Sequence, residues 1–347
     1  MKYSIIVPVY NRPDEVDELL MSLTQQTVTD FEVIIVEDGS SVTCKEVCDK
    51  YTHSLDLHYY LKRNSGPGQS RNYGAERARG EYLIILDSDV VLPTGYVESL
   101  NRELEANPCD AFGGPDSAHS SFTDTQKAIS YSMTSFLTTG GIRGGKKKLD
   151  KFYPRSFNMG IRRDVYQKLG GFSKMRFGED IDFSIRIFKG GYKCRLFPSS
   201  WVWHKRRTDF RKFFRQVFNS GIARINLYKK YPDTLKLVHL LPSIFTVGVI
   251  LLVLISAVGR ALMHYDPTHF HQWYLVCAIP WLPIIAFCAI IFIDAAVRHK
   301  SVKIGLLSIV ASFIQLMGYG SGLITAWWKR CILGKDEFQA FEHTFYK

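Results

Sequence analysis

The sequence predicts an α/β domain with a mostly parallel sheet, followed by an α-helical membrane region. Short apolar runs typical of buried strands alternate with amphipathic stretches over the first part of the chain. Three long segments without charged residues follow in its last third. Strand–helix alternation with short links implies parallel strands and right-handed crossovers. Uncharged segments of about 20 residues are typical of helices that cross a membrane.

Each predicted strand is an apolar run that ends in polar or turn-forming residues. The strands are expected at Lys2–Val9, Phe31–Val36, Leu57–Leu61, Tyr82–Leu86 and Arg155–Ile161. A helix should begin at Pro13, where proline suits the first turn, and a second should follow the second strand to about Tyr51. Further helices are predicted over Gln69–Ala78, Asp164–Leu169, 178–188 and Phe210–Tyr228.

Polar side chains collect where the predicted strands end. Asn11, Asp38, Asp87 and Asp89 all occupy such positions, and ligands of parallel α/β sheets bind beyond the carboxyl ends of the strands. Carboxylates two residues apart on a strand face the same way, and Mg²⁺ and Mn²⁺ favour oxygen ligands of this kind. The alternative is an ordinary strand-to-turn junction, since Asp and Ser are common turn residues.

Two later motifs carry further candidate site residues. Glu179-Asp180 opens a predicted helix, where the helix dipole alone would also favour acids. His204 follows that pair and lies beside Trp203, and a lone histidine beside tryptophans is by itself typical of a packed interface residue. The glycine-rich basic segment 138–151 predicts either a loop that folds over a phosphorylated substrate or a solvated surface loop.

The net charge and the cysteine content indicate where in the cell the chain is expected to lie. The net charge is +11, and the segment 195–236 is strongly basic. A basic segment just before an apolar span fits anionic lipid better than nucleic acid. The seven cysteines are scattered without metal-ligand spacing, as expected of reduced cytosolic thiols. The N-terminus shows no secretory signal, so the region before residue 237 is expected to stay in the cytosol.

The predicted membrane segments are Leu240–Gly259, Trp273–Ile293 and Ile304–Trp328. Core helices of a soluble domain are the alternative, which three such segments in a row disfavour. Basic residues before the first segment and after the second indicate the cytoplasmic side. Three full crossings would then place Lys329, Arg330 and Lys335 outside, against the positive-inside rule. Either that rule is overridden, or one segment is a hairpin or an interfacial element.

The motifs, in their order, resemble the family-2 glycosyltransferases, inverting enzymes of the GT-A fold, which is Rossmann-like. The resemblance spans about residues 1–225 and rests on short motifs whose joint order and spacing are specific. These are Val7-Pro8-Val9-Tyr10-Asn11-Arg12, Val36-Glu37-Asp38-Gly39-Ser40, Gly66-Pro67-Gly68-Gln69-Ser70-Arg71-Asn72, Gly80 to Asp89, Gly170-Gly171-Phe172 and Gly178-Glu179-Asp180-Ile181-Asp182.

The resemblance implies a role for each candidate residue. Pro8, Tyr10 and Arg12 would lie beside the nucleotide base, and Asp38 beside the uracil or ribose. Asp87, Ser88 and Asp89 would bind the metal–diphosphate complex, with His204 as a further ligand of Mn²⁺ or Mg²⁺. Arg71 would contact the diphosphate or pair with an acid of the site. Asp180 would be the catalytic base, with Glu179 supporting substrate binding and Asp182 structural.

Two departures from the family pattern refine this expectation. Many relatives have another acid after the paired-acid triplet, where this chain has Val90. The Gln-x-x-Arg-Trp signature of processive synthases is absent, and Gln216-Val217-Phe218-Asn219 lies roughly where it would be expected. Metal coordination should therefore rest on the two aspartates with His204, and one sugar should be added per encounter.

The sequence thus predicts a membrane-anchored, metal-dependent inverting glycosyltransferase of hexosyl or N-acetylhexosaminyl type. Residues 1–230 would form the cytosolic catalytic domain, 231–330 the multi-pass region in the cytoplasmic membrane, and 331–347 a tail. The donor would be a UDP-sugar and the acceptor a glycan or lipid-linked glycan of the envelope. The alternatives are a polyprenyl-phosphate glycosyltransferase, a nucleotidyltransferase and an inactive membrane scaffold. The sequence lacks the triphosphate loop that a nucleotidyltransferase would carry.

Overall fold

The computed structural model describes residues 1–117, 122–139, 152–175, 177–205, 208–265, 267–338 and 340. Most of the predicted glycine-rich loop, residues 140–151, and the end of the predicted tail lie outside the described residues. The described chain divides into two compact units. The first comprises 1–121 with 150–205, and the second 122–149 with 206–347. The predicted limit of a catalytic domain at residue 230 stays a prediction, since these units divide the chain at other positions.

The described residues of the first unit contain ten strands. They are β1 (Tyr3–Val9), β2 (Phe31–Asp38), β3 (Asp56–Lys62), β4 (Tyr82–Leu86), β5 (Val90–Val91), β6 (Ala111–Gly113), β7 (Asp116–Ser117), β8 (Asn158–Arg162), β9 (Cys194–Leu196) and β10 (Val202–His204). Seven form a sheet in the order β3-β2-β1-β4-β8-β6-β9, and a small second sheet has the order β5-β10-β7. Strands β1 to β4 are parallel, whereas β8 runs antiparallel to β4 and β6.

The predicted helices are present, and three further helices, at Tyr96–Ala106, Asp124–Thr134 and Phe136–Thr139, are ones that the sequence analysis did not predict. Those of the first unit are α1 (Pro13–Thr24), α2 (Lys45–Tyr51), α3 (Pro67–Ala75), α4 (Tyr96–Ala106), α7 (Arg163–Lys168) and α8 (Glu179–Lys189). Those of the second are α5 (Asp124–Thr134), α6 (Phe136–Thr139), α9 (Phe210–Lys230), α10 (Leu237–Tyr265), α11 (Phe270–Ala278), α12 (Leu282–His299) and α13 (Val302–Trp327).

The apolar strands form the core of the first unit. All eight residues of β2 are buried, and so are all five of β4. Because both faces of a parallel sheet are covered by helices, its strands carry continuous apolar runs. Gly74 lets α3 approach this sheet closely, since a Cβ there would lie 2.6 Å from Cγ2 of Ile6. The packing places the carboxyl ends of β1, β2 and β4 at one edge.

The apolar segments of the second unit are helical, as predicted. In the described part of the chain, Leu237–Tyr265, Phe270–His299 and Val302–Ile332 are long and apolar enough to cross a membrane. The second of these is formed by α11 and α12 with one 3-10 turn between them, at Ile279–Trp281. Their length and composition fit the predicted membrane association.

Candidate active site

Asp87 and Asp89 lie in the turn that joins β4 to β5. Both carboxylates were expected to face the same way because they would lie on one strand. This is wrong, because β4 ends at Leu86, before either aspartate. The turn nevertheless gathers one ligand atom each from Asp87, Asp89 and His204 within 4.8 Å of one another. Asp89 is 8% exposed, so its carboxylate lies at the base of the site.

The small second sheet carries His204 to this turn. His204 on β10 pairs in register with Val90 on β5, directly after Asp89. The Lys205 amide donates to the Asp89 carbonyl at 3.0 Å. Nε2 of His204 then lies 3.2 Å from Oδ1 of Asp89, and its ring stacks on Phe157 with centroids 4.9 Å apart. His204 is thus packed against Phe157, as expected of an interface residue. Its Nε2 nevertheless faces the Asp89 carboxylate.

Two arginines pair with the aspartates of the turn. Nη1 of Arg12 lies 3.0 Å from Oδ2 of Asp89, and it also contacts Glu15 at 2.7 Å. Arg71 is 3% exposed, and its Nη2 donates to Oδ1 of Asp87 at 2.8 Å. Each aspartate therefore has one oxygen fixed by a guanidinium.

Arg71 also joins this turn to the start of α8. Its Nη1 donates to Oε1 of Glu179 at 2.9 Å. Of the two roles expected for Arg71, the geometry shows pairing with acids of the site. Because the guanidinium is planar and rigid, one buried side chain fixes Asp87 and Glu179 relative to each other.

The first turn of α8 contains the Glu179-Asp180 pair, both residues buried. Gly178 precedes it with φ 83°, a left-handed conformation that favours glycine. Burial, and then the neighbouring Asp180 carboxylate, raise the pKa of Glu179 to about 7, while the Arg71 charge opposes the shift. Asp182 is fully buried and pairs with Arg186 at 2.9 Å, as expected of a structural acid.

Asp180 is held at both oxygens. Its Oδ1 accepts a hydrogen bond from the Ile181 amide at 2.8 Å, and its Oδ2 lies 2.7 Å from Nε of Arg155. Sequence reasoning missed Arg155, which follows the glycine-rich segment and is 32% exposed at its side chain. Both oxygens of the Asp180 carboxylate are thus contacted by neighbouring N–H groups.

Asp38 anchors the loop before α3. Its carboxylate accepts hydrogen bonds from the amides of Ser65 at 2.9 Å and Gly66 at 2.8 Å, and it pairs with Lys62. Asn11, which has φ 53°, likewise accepts from the amides of Ser41 at 2.8 Å and Val42 at 3.0 Å. The strand-end polar residues thus order the neighbouring loops.

Comparison with known proteins shows which family and fold the chain resembles. Residues 4–170 match the family model described as glycosyl transferase family 2. This part of the chain is similar to that family. An uncharacterized glycosyltransferase of Haemophilus influenzae is 32% identical over 195 residues, which are 54% of this chain and 62% of the relative. The poly(ribitol-phosphate) beta-N-acetylglucosaminyltransferase TarS of Staphylococcus aureus is 42% identical over 93 residues, 26% of this chain and 16% of TarS. The chain therefore spans less than two thirds of either relative.

A solved structure shows the fold. The mannosyltransferase PcManGT of Pyrobaculum calidifontis, in complex with GDP-Man and Mn²⁺, aligns over 95% of this chain and 88% of its own. The TM-score is 0.57 and the sequence identity is 14%. The predicted GT-A fold is thereby confirmed.

The ligand set of this site fits a divalent cation. Asp87 offers Oδ2, because Arg71 contacts Oδ1, and Asp89 offers Oδ1, which faces His204. Two carboxylates and one imidazole suit Mn²⁺, which accepts nitrogen more readily than Mg²⁺. A further acid that sequence reasoning missed, Asp116 on β7, lies with its Oδ2 3.6 Å from Nδ1 of His204. A carboxylate in this place orients an imidazole toward a metal.

A second group of acids with a histidine differs from this one. Glu32, Asp56 and His58 also place ligand atoms within 4.8 Å of one another. There, Arg79 pairs with Glu32 at 2.8 Å and with Asp56 at 2.6 Å. Nη2 of Arg79 also lies 3.0 Å from Nε2 of His58, so one guanidinium contacts all three members of this group, which supplies a control for metal binding.

Proposed function

We propose that the protein is a metal-dependent, inverting glycosyltransferase that moves a sugar from a nucleotide-sugar to an acceptor at the membrane. The observation that carries the proposal is the joining of two acidic groups by one buried arginine. Arg71 holds the metal-binding turn at Asp87 and the carboxylate pair at Glu179-Asp180 in one site. Such a site has one half for the leaving diphosphate and one for the attacking acceptor.

The first half would bind the donor. Asp87, Asp89 and His204 would hold Mn²⁺ or Mg²⁺, and the bound ion would neutralise charge on the leaving diphosphate. Arg12 lies beside Asp89 and adds a fixed positive charge to this side. Pro8, Tyr10, Asp38 and Ser88 complete the proposed donor-binding set, in which Asp38 orders the loop that faces the nucleotide.

The second half would activate the acceptor. The acceptor hydroxyl oxygen attacks the anomeric carbon, the bond from that carbon to the diphosphate breaks, and the nucleoside diphosphate leaves with the bonding electrons. Oδ2 of Asp180 takes the hydroxyl proton, so Arg155 must release this oxygen when the acceptor binds. One base and no covalent intermediate give inversion at the anomeric carbon.

Donor and acceptor classes are proposed from the relatives and the membrane helices. We expect a UDP-sugar donor with a hexosyl or N-acetylhexosaminyl group, because TarS, by its name, transfers an N-acetylglucosaminyl group to a polymer. PcManGT was solved with GDP-Man and Mn²⁺, which supports a nucleotide-sugar and a divalent metal. An acceptor held in the cytoplasmic membrane, a lipid-linked or envelope glycan, accounts for the apolar helices.

A donor panel tests the proposal. The full chain in detergent is incubated with each nucleotide-sugar, Mn²⁺ or Mg²⁺ and a membrane lipid extract, and nucleotide release is measured. One donor should be consumed only with metal, faster with the extract, and not by an Asp89→Asn variant. Failure of every nucleotide-sugar to bind or react would favour the inactive scaffold.

The second candidate, a polyprenyl-phosphate glycosyltransferase, differs at the acceptor. A phosphate oxygen needs little general-base assistance. If lipid phosphate is the acceptor, Asp180→Asn should reduce turnover only slightly, whereas a hydroxyl acceptor requires this base.

A further inference from the structure

Arg155 is attached through neighbouring residues to α8, the helix that carries Asp180. The buried Ser184 of α8 donates a hydrogen bond from Oγ to the Pro154 carbonyl at 2.8 Å. The ring of Tyr153 packs edge-on against Phe188 of the same helix, with centroids 5.4 Å apart. The backbone before the arginine is therefore fixed on α8, and its guanidinium is held close to the Asp180 carboxylate.

The contact between Arg155 and Asp180 uses only part of the guanidinium. An arginine presents several N–H donors in a planar fork, and it commonly grips a carboxylate with two of them in parallel. Here the closest approach is from Nε to Oδ2, at 2.7 Å, and the arginine side chain is 32% exposed. In the described part of the chain no group accepts a hydrogen bond from Nη1 or Nη2 of Arg155. The outer edge of the guanidinium is thus available to a ligand.

Arg155 also differs from the other arginines of the site in its charge partners. Arg71 pairs with two acids, Asp87 and Glu179. Within the described residues, Arg155 pairs with Asp180 alone. In the proposed reaction Oδ2 of Asp180 takes the hydroxyl proton, so this carboxylate becomes neutral and the guanidinium loses its counter-charge. A second anion beside Arg155 would restore the balance of charge at that step.

The acceptor is the molecule that arrives at this place. It has to draw Nε away from Oδ2, and an uncharged sugar offers the guanidinium no charge in exchange. A phosphate or a carboxylate does, since either accepts two parallel N–H bonds from the fork. Without a cation, the same oxyanion would be repelled by the Asp180 carboxylate. The single positive charge of Arg155 therefore favours an anionic acceptor over a neutral one.

We propose that the acceptor carries an oxyanion, a phosphate or a carboxylate, close to the hydroxyl that receives the sugar, and that Arg155 binds this oxyanion. On acceptor binding the guanidinium exchanges Asp180 for the oxyanion and leaves Oδ2 free to take the proton. Arg155 is then a residue that determines acceptor specificity. This acceptor class rests on the proposed function, because it concerns the acceptor half of the same site.

A fractionated lipid extract tests the role of Arg155. The extract is separated on an anion exchanger into a retained, acidic fraction and an unretained, neutral one. Nucleotide release from the donor is measured with the full chain in detergent and Mn²⁺. The acidic fraction should accelerate release by the wild type. Arg155→Gln should lower this acceleration about 10- to 100-fold, as loss of a hydrogen bond between charged groups does, and leave KM for the donor unchanged.

Two further variants separate charge recognition from a general loss of structure. Arg155→Lys keeps the positive charge without the fork, so it should retain part of the acceleration. Arg162→Gln removes a comparable exposed pair, in which Nη2 lies 3.0 Å from Oδ2 of Asp164, and should behave like the wild type. Acceleration by the neutral fraction, or equal acceleration of the wild type and Arg155→Gln by the acidic one, would overturn the proposal.

Failure of the proposed function looks different, because then no donor is consumed with any fraction. A binding measurement that needs no turnover decides the role of Arg155 in that case. Calorimetry in EDTA compares glycerol phosphate and glycerate with glycerol, which distinguishes phosphate from carboxylate recognition. The wild type should bind one of the two anions more tightly than glycerol and more tightly than Arg155→Gln does. Equal binding by the two proteins would contradict an oxyanion site at Arg155.

Discussion

His204 is the residue whose role the structure sharpens most. A lone histidine beside tryptophans is as typical of packing as of ligation, but the register of β10 against β5 directs its Nε2 to Asp89. His204→Ala should weaken Mn²⁺ binding at least about tenfold, as loss of a ligand or of its orienting partner does. Bound Mn²⁺ is measured by electron paramagnetic resonance on the full chain.

His58→Ala provides the matched control, because His58 lies in an acidic group that Arg79 already occupies. This variant should bind Mn²⁺ like the wild type. Equal weakening by both substitutions would contradict the assignment of the metal ligands.

Glu179 should make stability depend on pH. Its folded pKa, about 7, exceeds the ordinary 4.5 because of burial and Asp180. The folded state therefore retains a proton that the unfolded chain releases as pH rises from about 4.5. The stabilisation that this proton provides is complete below pH 4.5 and is lost by about pH 7, an upper bound of about 3 kcal/mol.

Glu179→Gln keeps the shape of the protonated glutamate side chain and removes its ionisable group. The thermal midpoint of the wild type should fall more between pH 5 and pH 8 than that of the variant. Parallel pH profiles for the two proteins would show that Glu179 does not titrate in this range.

At the residue scale, sequence reasoning found Asp87, Asp89 and the two arginines that pair with them, Arg12 and Arg71, but it missed Arg155 and Asp116. The strand-end positions of Asp38, Asp87 and Asp89 are visible in the apolar pattern. Asp116 reaches the site through the pairing of β7 with β10, two short segments distant in sequence, and no local pattern signals that pairing. The one available signal for Arg155 was its position directly after a glycine-rich segment.

At the scale of elements, the contact between α9 and α13 depends on glycine. Gly221→Ala should lower the thermal midpoint of the full chain in detergent, because the new methyl group would overlap the backbone of α13. Overpacking of this kind costs about 1–3 kcal/mol.

Gly248 in α10 supplies the control, since a Cβ there meets nothing within 4 Å. Gly248→Ala should leave the midpoint unchanged or raise it, because alanine favours a helix more than glycine does. A midpoint for Gly221→Ala equal to that of Gly248→Ala would contradict the close packing of α9 on α13.

Helices and strands were predictable where their sequence follows a single hydrophobic pattern. Continuous apolar runs marked β1, β2 and β4, and uncharged stretches marked α10 to α13. The short strands β5, β7 and β10 were not predicted, because two or three residues carry no period and their pairing depends on distant chain. The burial of α13 by other helices could not be predicted from the sequence either, since a helix covered by protein and one covered by lipid are both apolar.

At the scale of the whole molecule, the chain combines a GT-A unit with helices suited to a membrane. The similarity to a glycosyl transferase family was predictable because the order and spacing of several motifs are specific together. The two compact units were not predictable, because helix α5 belongs to the second unit although its sequence lies between strands of the first. That assignment depends on packing that local sequence does not encode.

In the proposed site, one half binds the donor and the other half activates the acceptor. The most direct test measures donor affinity and turnover in parallel for Asp89→Asn and Asp180→Asn, with Asp164→Asn as a surface control. Asp89→Asn should lose metal-dependent donor binding. Asp180→Asn should bind donor like the wild type and turn over about 10²–10⁴-fold more slowly. Equal loss of donor binding in both variants, or full turnover by Asp180→Asn, would contradict the account.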